Sequence, residues 1–184
     1  MVEKNSLHKE ELRIVEALLF SSSEPLTQKR IDLCFDNNAP LLSEVIPELI
    51  EGYNGETHSF TIEKVAGGYR LITKSKYEPW VKRLHNRAGK TKLSPAALEV
   101  LAVIAYKAPV TRVEIESIRG VNSGGVIKTL IEKNLLRIKG RAKGPGRALL
   151  YTVTDTFLIS FGLDQLSDLP KLREISDLEK ELLP

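Results

Sequence analysis

The chain has 184 residues, 42% hydrophobic and 28% charged, the balance of a globular protein with an ordinary core and room for one large or two small domains. Its single cysteine, Cys34, excludes an internal disulfide framework and a cysteine zinc site, and no apolar run reaches the roughly 20 residues of a membrane span. The net charge of +3 hides an asymmetry: residues 82–147 carry 15 Lys and Arg against 4 Asp and Glu, while 1–81 carry 9 against 13 and 148–184 carry 3 against 7. A basic middle between acidic ends reads as a footprint for nucleic acid, as a lysine-rich solvated surface, or as a face for an acidic protein segment.

From the start, Met-Val-Glu-Lys-Asn leads into a charged helix rather than a signal peptide, so a cytosolic protein is expected. His8 to Ser21 reads as that helix, with Leu12, Val15, Leu18 and Leu19 on one face, and Ser21-Ser22-Ser23-Glu24-Pro25 ends it. Thr27 caps a second helix through Phe35 with Ile31 and Cys34 inward, which predicts Cys34 as a small buried hydrophobe. After the turn cluster Asp36-Asn37-Asn38-Ala39-Pro40, Ser43 caps a third helix carrying Val45, Ile46, Leu49 and Ile50, with Pro47 in about its first turn. Phe60–Val65 and Tyr69–Thr73 alternate around Gly67-Gly68 as a hairpin. A short helix from Tyr77 to Asn86 is expected to pack Trp80, Val81 and Leu84, and Arg87-Ala88-Gly89-Lys90-Thr91-Lys92 has linker composition.

The stretch Leu93 to Thr154 repeats the order. Ser94 caps a helix with Pro95 at its first position and Leu98, Leu101, Ala102 and Ala105 as its apolar face. Ala108-Pro109-Val110-Thr111 breaks it and caps a second, Arg112 to Ile118, carrying Val113, Ile115 and Ile118. Gly120 ends that helix, and Ser123 caps a third to Asn134 with Val126, Ile127, Leu130 and Ile131 inward. Extended runs Leu135–Lys139 and Ala148–Thr154 flank the basic loop Gly140–Arg147. Both halves thus read helix, break, helix, helix, hairpin, short helix. Pro25-Leu26-Thr27-x-x-x-Ile31 matches Pro109-Val110-Thr111-x-x-x-Ile115. The predicted class is mainly α with small β-hairpins (α+β), as two tandem winged-helix (helix-turn-helix) domains. The boundaries are 1–86, a linker 87–92, 93–170, and a charged tail 171–184 with Leu172, Ile175, Leu178 and Leu182 at helical spacing.

Catalytic chemistry finds no foothold in this pattern. His8, His58 and His85 are scattered without a second ligand at metal spacing, so neither a metal nor a cofactor is expected. Gly120-x-x-x-x-Gly125-Val126 resembles the start of a phosphate-binding loop, but Val126 stands where the lysine belongs. Glu114 and Glu116 are i, i+2 on a helix and face apart. A DNA-reading helix needs Arg, Asn, Gln or Lys on its exposed N-terminal face. The third helix of the second half offers only Lys128, against Glu132, and its counterpart in the first half carries Glu44, Glu48 and Glu51. What remains for nucleic acid is nonspecific phosphate contact by Lys139, Arg141, Lys143 and Arg147 of the wing. A DNA-binding transcriptional regulator is therefore the alternative reading, and a protein-docking module the leading one.

The run Leu93-Ser94-Pro95-Ala96-Ala97-Leu98-Glu99-Val100-Leu101-Ala102-Val103-Ile104-Ala105-Tyr106 resembles the opening of the second domain of segregation and condensation protein B. So do Pro109-Val110-Thr111-Arg112-x-Glu114-Ile115-x-x-Ile118-Arg119-Gly120-Val121, Leu130–Leu136, Gly144–Tyr151 and the ending Phe157-Leu158-x-x-Phe161-Gly162-Leu163. The first half is similar through Glu16–Phe20, Ser23–Leu26 and Ala66–Arg70. The wing departs from the family at Ala148, where a proline is usual, and at Thr152-Val153, where Gly-Thr is common. The resemblance implies a non-enzymatic accessory subunit of the bacterial chromosome-condensing complex, cytoplasmic and nucleoid-associated. It further implies a homodimer formed through the first domain. That dimer would hold the kleisin subunit, ScpA, which bridges the heads of an SMC ATPase, with DNA contact at most nonspecific and no membrane. Val121, near the helix-turn-helix corner, with Asn122, Ser123 and Lys128 beside it, is a candidate anchor for a partner helix, or else plugs the turn.

Overall fold

A computed structural model of the chain describes residues 2–35, 38–85, 93–144 and 146–171. The chain divides into two compact units, Met1–Lys90 and Thr91–Pro184. The expected linker 87–92, Asp36 and Asn37 of the turn cluster, Pro145 of the wing loop and the tail from Leu172 onward lie outside the described residues.

Unit 1 opens with helix α1, Val2–Ser21, which starts earlier than the predicted His8 and buries Val15 and Leu19. Helix α2, Gln28–Asp32, is capped by Thr27, whose hydroxyl accepts from the Arg30 amide at 3.3 Å. It stops at Asp32, short of Phe35. Cys34 therefore leaves the inward stripe and is exposed, its thiol donating to the Arg30 carbonyl, so the expected burial of Cys34 is corrected. The Arg30 guanidinium donates to the Ser22 hydroxyl and to the Glu24 and Pro25 carbonyls, which pins the connection between α1 and α2.

Helix α3, Leu42–Tyr53, buries Leu42, Val45, Ile46, Leu49 and Tyr53. Its N-cap is Leu41 rather than Ser43. The Leu42 amide donates instead to Gln28 Oε1 at 2.9 Å, so a side chain from α2 replaces the local cap. Pro47 falls in the second turn of α3, not the first, on its exposed face.

Strands β1, Phe60–Val65, and β2, Gly68–Thr73, pair antiparallel with Val65 opposite Gly68. The turn is Ala66-Gly67, one residue earlier than expected, with φ of 50° and 71°. Positive φ at both central residues is what a tight hairpin with right-handed strand twist requires. Gly68 belongs to the strand because Leu26 forms a bridge with Tyr69, and a Cβ on Gly68 would sit 3.0 Å from the Leu26 carbonyl oxygen. Helix α4, Glu78–His85, follows a 3-10 turn at Ser75–Tyr77 and buries nothing; Trp80 is 64% and Leu84 80% exposed, so the expected packing of this helix is corrected. The α1, α3 and hairpin side chains already fill the core, leaving the apolar stripe of α4 outside it.

Unit 2 repeats the plan. Helix α5, Pro95–Lys107, is capped by the Ser94 hydroxyl, which accepts from the Ala97 amide. Strand β3, Val110–Thr111, leads into helix α6, Arg112–Arg119, through a capping box in which Thr111 and Glu114 satisfy each other's backbone donors. Gly120 closes α6 in the left-handed conformation at φ 71°, and helix α7 runs Gly124–Glu132. Strands β4, Leu136–Arg141, and β5, Leu149–Val153, form the wing, and the three strands lie in the order β3-β5-β4. Helix α8, Asp155–Phe161, and a 3-10 turn at Leu166–Asp168 pack over α5.

The core of unit 2 gathers Val100, Leu101, Ile104, Ile115, Leu130, Leu136, Val153 and Phe157. Each fully buried side chain of this size contributes about 1.5–3 kcal/mol. Helix α5 presents Ala97, Val100, Leu101 and Ile104 to that core, while Leu98 and Ala102 are exposed, a correction to the expected face. Likewise Val113 and Ile118 of α6 are exposed and Ile115 alone is buried there. The twin motifs occupy equivalent places: Leu26 bridges β2 as Val110 pairs with β5, and Thr27 and Thr111 then cap the next helix. Each unit is a winged helix.

Candidate docking and nucleic-acid surfaces

The helix-turn-helix corner of unit 2 is built on a chain of charges. Arg119 donates to Glu99 at 2.8 Å and to the Ser123 hydroxyl at 2.7 Å. Ser123 is fully buried, and its amide donates to Glu116 Oε1 at 2.8 Å; Glu116 in turn accepts from Arg112 at 2.7 Å. The Ser123 amide first, then the Arg112 guanidinium, hold the Glu116 carboxyl below its ordinary pKa. Ser123 does not cap α7 with its side chain; Asn122 Oδ1 takes the Gly124 amide at 3.0 Å. The Arg112 guanidinium lies so close over Gly124 that a Cβ there would meet it at 2.8 Å.

This corner decides what α7 can meet. A DNA-reading helix offers its N-terminal amides to a phosphate, and here an internal carboxylate, Glu116, already takes the amide at that end. Of the residues expected at the partner surface, Val121, Asn122 and Lys128 are exposed. Ser123 is not; it is a positioning residue inside the turn. Val113 and Ile118 of α6 are exposed as well.

The wing carries Arg137, Lys139, Arg141, Lys143 and Arg147, all exposed. A bulge between Ile138 and Gly140 leaves Lys139 outside the ladder, and Arg141 donates to the Arg147 carbonyl across the hairpin. None of the five has an ion pair among the described residues. The four carboxylates of this basic block are engaged elsewhere: Glu99 on Arg119, Glu114 in the α6 cap, Glu116 at the turn and Glu132 beside Lys128.

Unit 1 presents the opposite sign. Glu44, Glu48 and Glu51 of α3 are exposed. Glu48 accepts from His8 at 2.7 Å, and this bond, aided by Glu11, raises the His8 pKa above 6.5. His58 packs against the rings of Tyr53 and Phe60, which also touch each other. The Gly120 to Gly125 segment resolves into a helix C-cap followed by the start of α7, not a phosphate loop.

An apolar groove of about 260 Å3 runs along unit 2, lined by Leu98, Ala102 and Tyr106 of α5, Phe157 and Phe161 of α8, and Leu169. Sequence reasoning placed Leu98 and Ala102 in the core and so missed it. The available signal was that α5 is apolar from Val100 to Tyr106 without interruption, more than one core contact consumes. Among the described residues no helix is long and apolar enough to cross a membrane.

A family model described as "Segregation and condensation complex subunit ScpB" matches residues 13–172. The segregation and condensation protein B of Syntrophotalea carbinolica is 46% identical over 172 residues, covering 91% of this chain and 85% of that relative. That of Bacillus subtilis is 44% identical over 162 residues, covering 88% and 82%. A solved dimer of an ScpB N-terminal domain complexed with a ScpA peptide is 30% identical, with a TM-score of 0.37, and covers 41% of this chain and 95% of that one.

Proposed function

The chain belongs to the family of the segregation and condensation complex subunit ScpB, and on that premise we propose that it is a non-enzymatic docking subunit of a bacterial chromosome-condensing complex. The family match across both units carries this reading. Its partners are a second copy of itself, the kleisin ScpA, and through the kleisin the heads of an SMC ATPase. It works in the cytoplasm at the nucleoid.

The surfaces support the assignment by what they offer. Unit 1, the dimerising domain in this reading, leaves Phe20, Leu33, Trp80 and Leu84 exposed, apolar surface that a partner face would bury. Unit 2 offers Val121 with Asn122 and Lys128 as an anchor for a partner helix, set in place by the buried Ser123. The carboxylate of Glu116 at the start of α7 and the acidic α3 both disfavour a sequence-reading regulator. Any DNA contact falls to Lys139, Arg141, Lys143 and Arg147 of the wing, without base preference.

Size-exclusion chromatography with light scattering, on the chain alone and mixed with the kleisin of the same organism, tests the reading. The expected result is a dimer that co-elutes with the kleisin. A chain that elutes apart from it overturns the assignment.

A further inference from the structure

Helices α6 and α7 carry three cations, and each faces a carboxylate: Arg112 on Glu116 at 2.7 Å, Arg119 on Glu99 at 2.8 Å and Lys128 beside Glu132 at 3.9 Å. On the wing of the same unit none of the five cations is so paired among the described residues. Of the three carboxylates, Glu116 differs in its reach. Its Oε1 accepts from Arg112 Nε at 2.7 Å and also from the Ser123 amide, just ahead of α7, at 2.8 Å. Its side chain is 25% exposed, against 62% for both Glu99 and Glu132, so water and salt screen it least.

The place that Glu116 fills is the one a backbone phosphate takes at a helix start, beside amide donors and the positive end of the helix dipole. The Arg112 guanidinium lies over Gly124, and the Gly124 amide is held by Asn122 Oδ1. A phosphate arriving there meets amides already bonded, a neutralised arginine and a fixed negative charge. We infer that Glu116 is the specificity-determining residue of the α6–α7 corner, an internal anion that keeps nucleic-acid phosphates off the start of α7. It acts through Arg112, whose charge it cancels. The inference stands apart from the kleisin assignment, because its readout is DNA alone.

The test is binding of the full chain to a short mixed-sequence DNA duplex across a salt series. The forms compared are the unsubstituted chain, Glu116→Gln, Arg112→Gln, the two together, and Asp155→Asn. Glutamine keeps an acceptor for the Ser123 amide and removes only the charge. Glu116→Gln is expected to bind about threefold to tenfold tighter at low salt and to steepen the log–log salt slope by about 0.9, one added phosphate contact. Adding Arg112→Gln should return both to the unsubstituted values, because the freed guanidinium is what holds the phosphate. Asp155 is exposed on α8, and Asp155→Asn makes the same change of net charge but should leave the slope as it was. Unaltered binding by Glu116→Gln overturns the inference. So does a gain that survives Arg112→Gln or that Asp155→Asn matches. Protection of the α7 amides from hydrogen exchange is the fold control. If Glu116→Gln loses it, Arg112→Gln alone decides: an unchanged slope supports the cancelled charge, and a slope flattened by one contact puts Arg112 on a phosphate already and overturns it.

Discussion

Arg119 is the residue from which the turn between α6 and α7 is suspended. Its side chain is 7% exposed, while that of its partner Glu99 is 62% exposed. The two ends of this ion pair are therefore unequal. Removing Glu99 costs a surface interaction of less than about 1 kcal/mol. Removing Arg119 also takes the donor from the buried Ser123 hydroxyl and the packing of the guanidinium stem, a loss of about 1–3 kcal/mol. Urea unfolding of unit 2, followed through its amide resonances, should rank Arg119→Ala well below Glu99→Ala in stability; equal losses would place the weight on the surface pair. The neighbouring Glu116 adds a pH dependence of known sign. Its carboxyl is held below its ordinary value by the Ser123 amide and Arg112, so its contribution is present above the unfolded carboxylate pKa and fades as the pH falls through the folded one.

Among the elements, hairpins and caps were legible in the sequence because their chemistry is local. Ser94-Pro95, Thr111 with Glu114, and Gly120 all do what their residue types dictate. Faces were less legible. The 3.6-residue period identifies an apolar stripe without saying what covers it, so it points Leu98, Val113 and Trp80 inward where they lie outward. Caps supplied from a distance were invisible: the Leu42 amide is satisfied by Gln28, and no local pattern announces that. The β1–β2 turn shifted by one residue for a comparable reason, since Gly68 is required by the approach of Leu26 and not by the turn. That assignment has a consequence for substitution. Gly68→Ala presses a methyl against the Leu26 backbone and is expected to destabilise unit 1 by about 1–3 kcal/mol. Gly52→Ala, with open space at its Cβ, serves as the control in the same thermal unfolding series.

The whole molecule separates its charges by unit: carboxylates on α3 of one, and on the wing of the other cations without an ion pair among the described residues. Association with a phosphate backbone through the wing releases counterions, so it weakens steeply with salt and ignores sequence. Replacing Arg141 and Lys143 together by Glu is expected to weaken retention on DNA at low salt and flatten its salt dependence, while kleisin co-elution stays intact. Undiminished retention would remove the wing from any nucleic-acid role. The outward placement of Trp80 on α4 has an optical consequence. It is the sole tryptophan of the chain, so the indole emission of the whole protein comes from one ring on one helix of unit 1. Every change of colour or quenching in that signal reports the environment of α4 and nothing else, which makes the helix its own lamp.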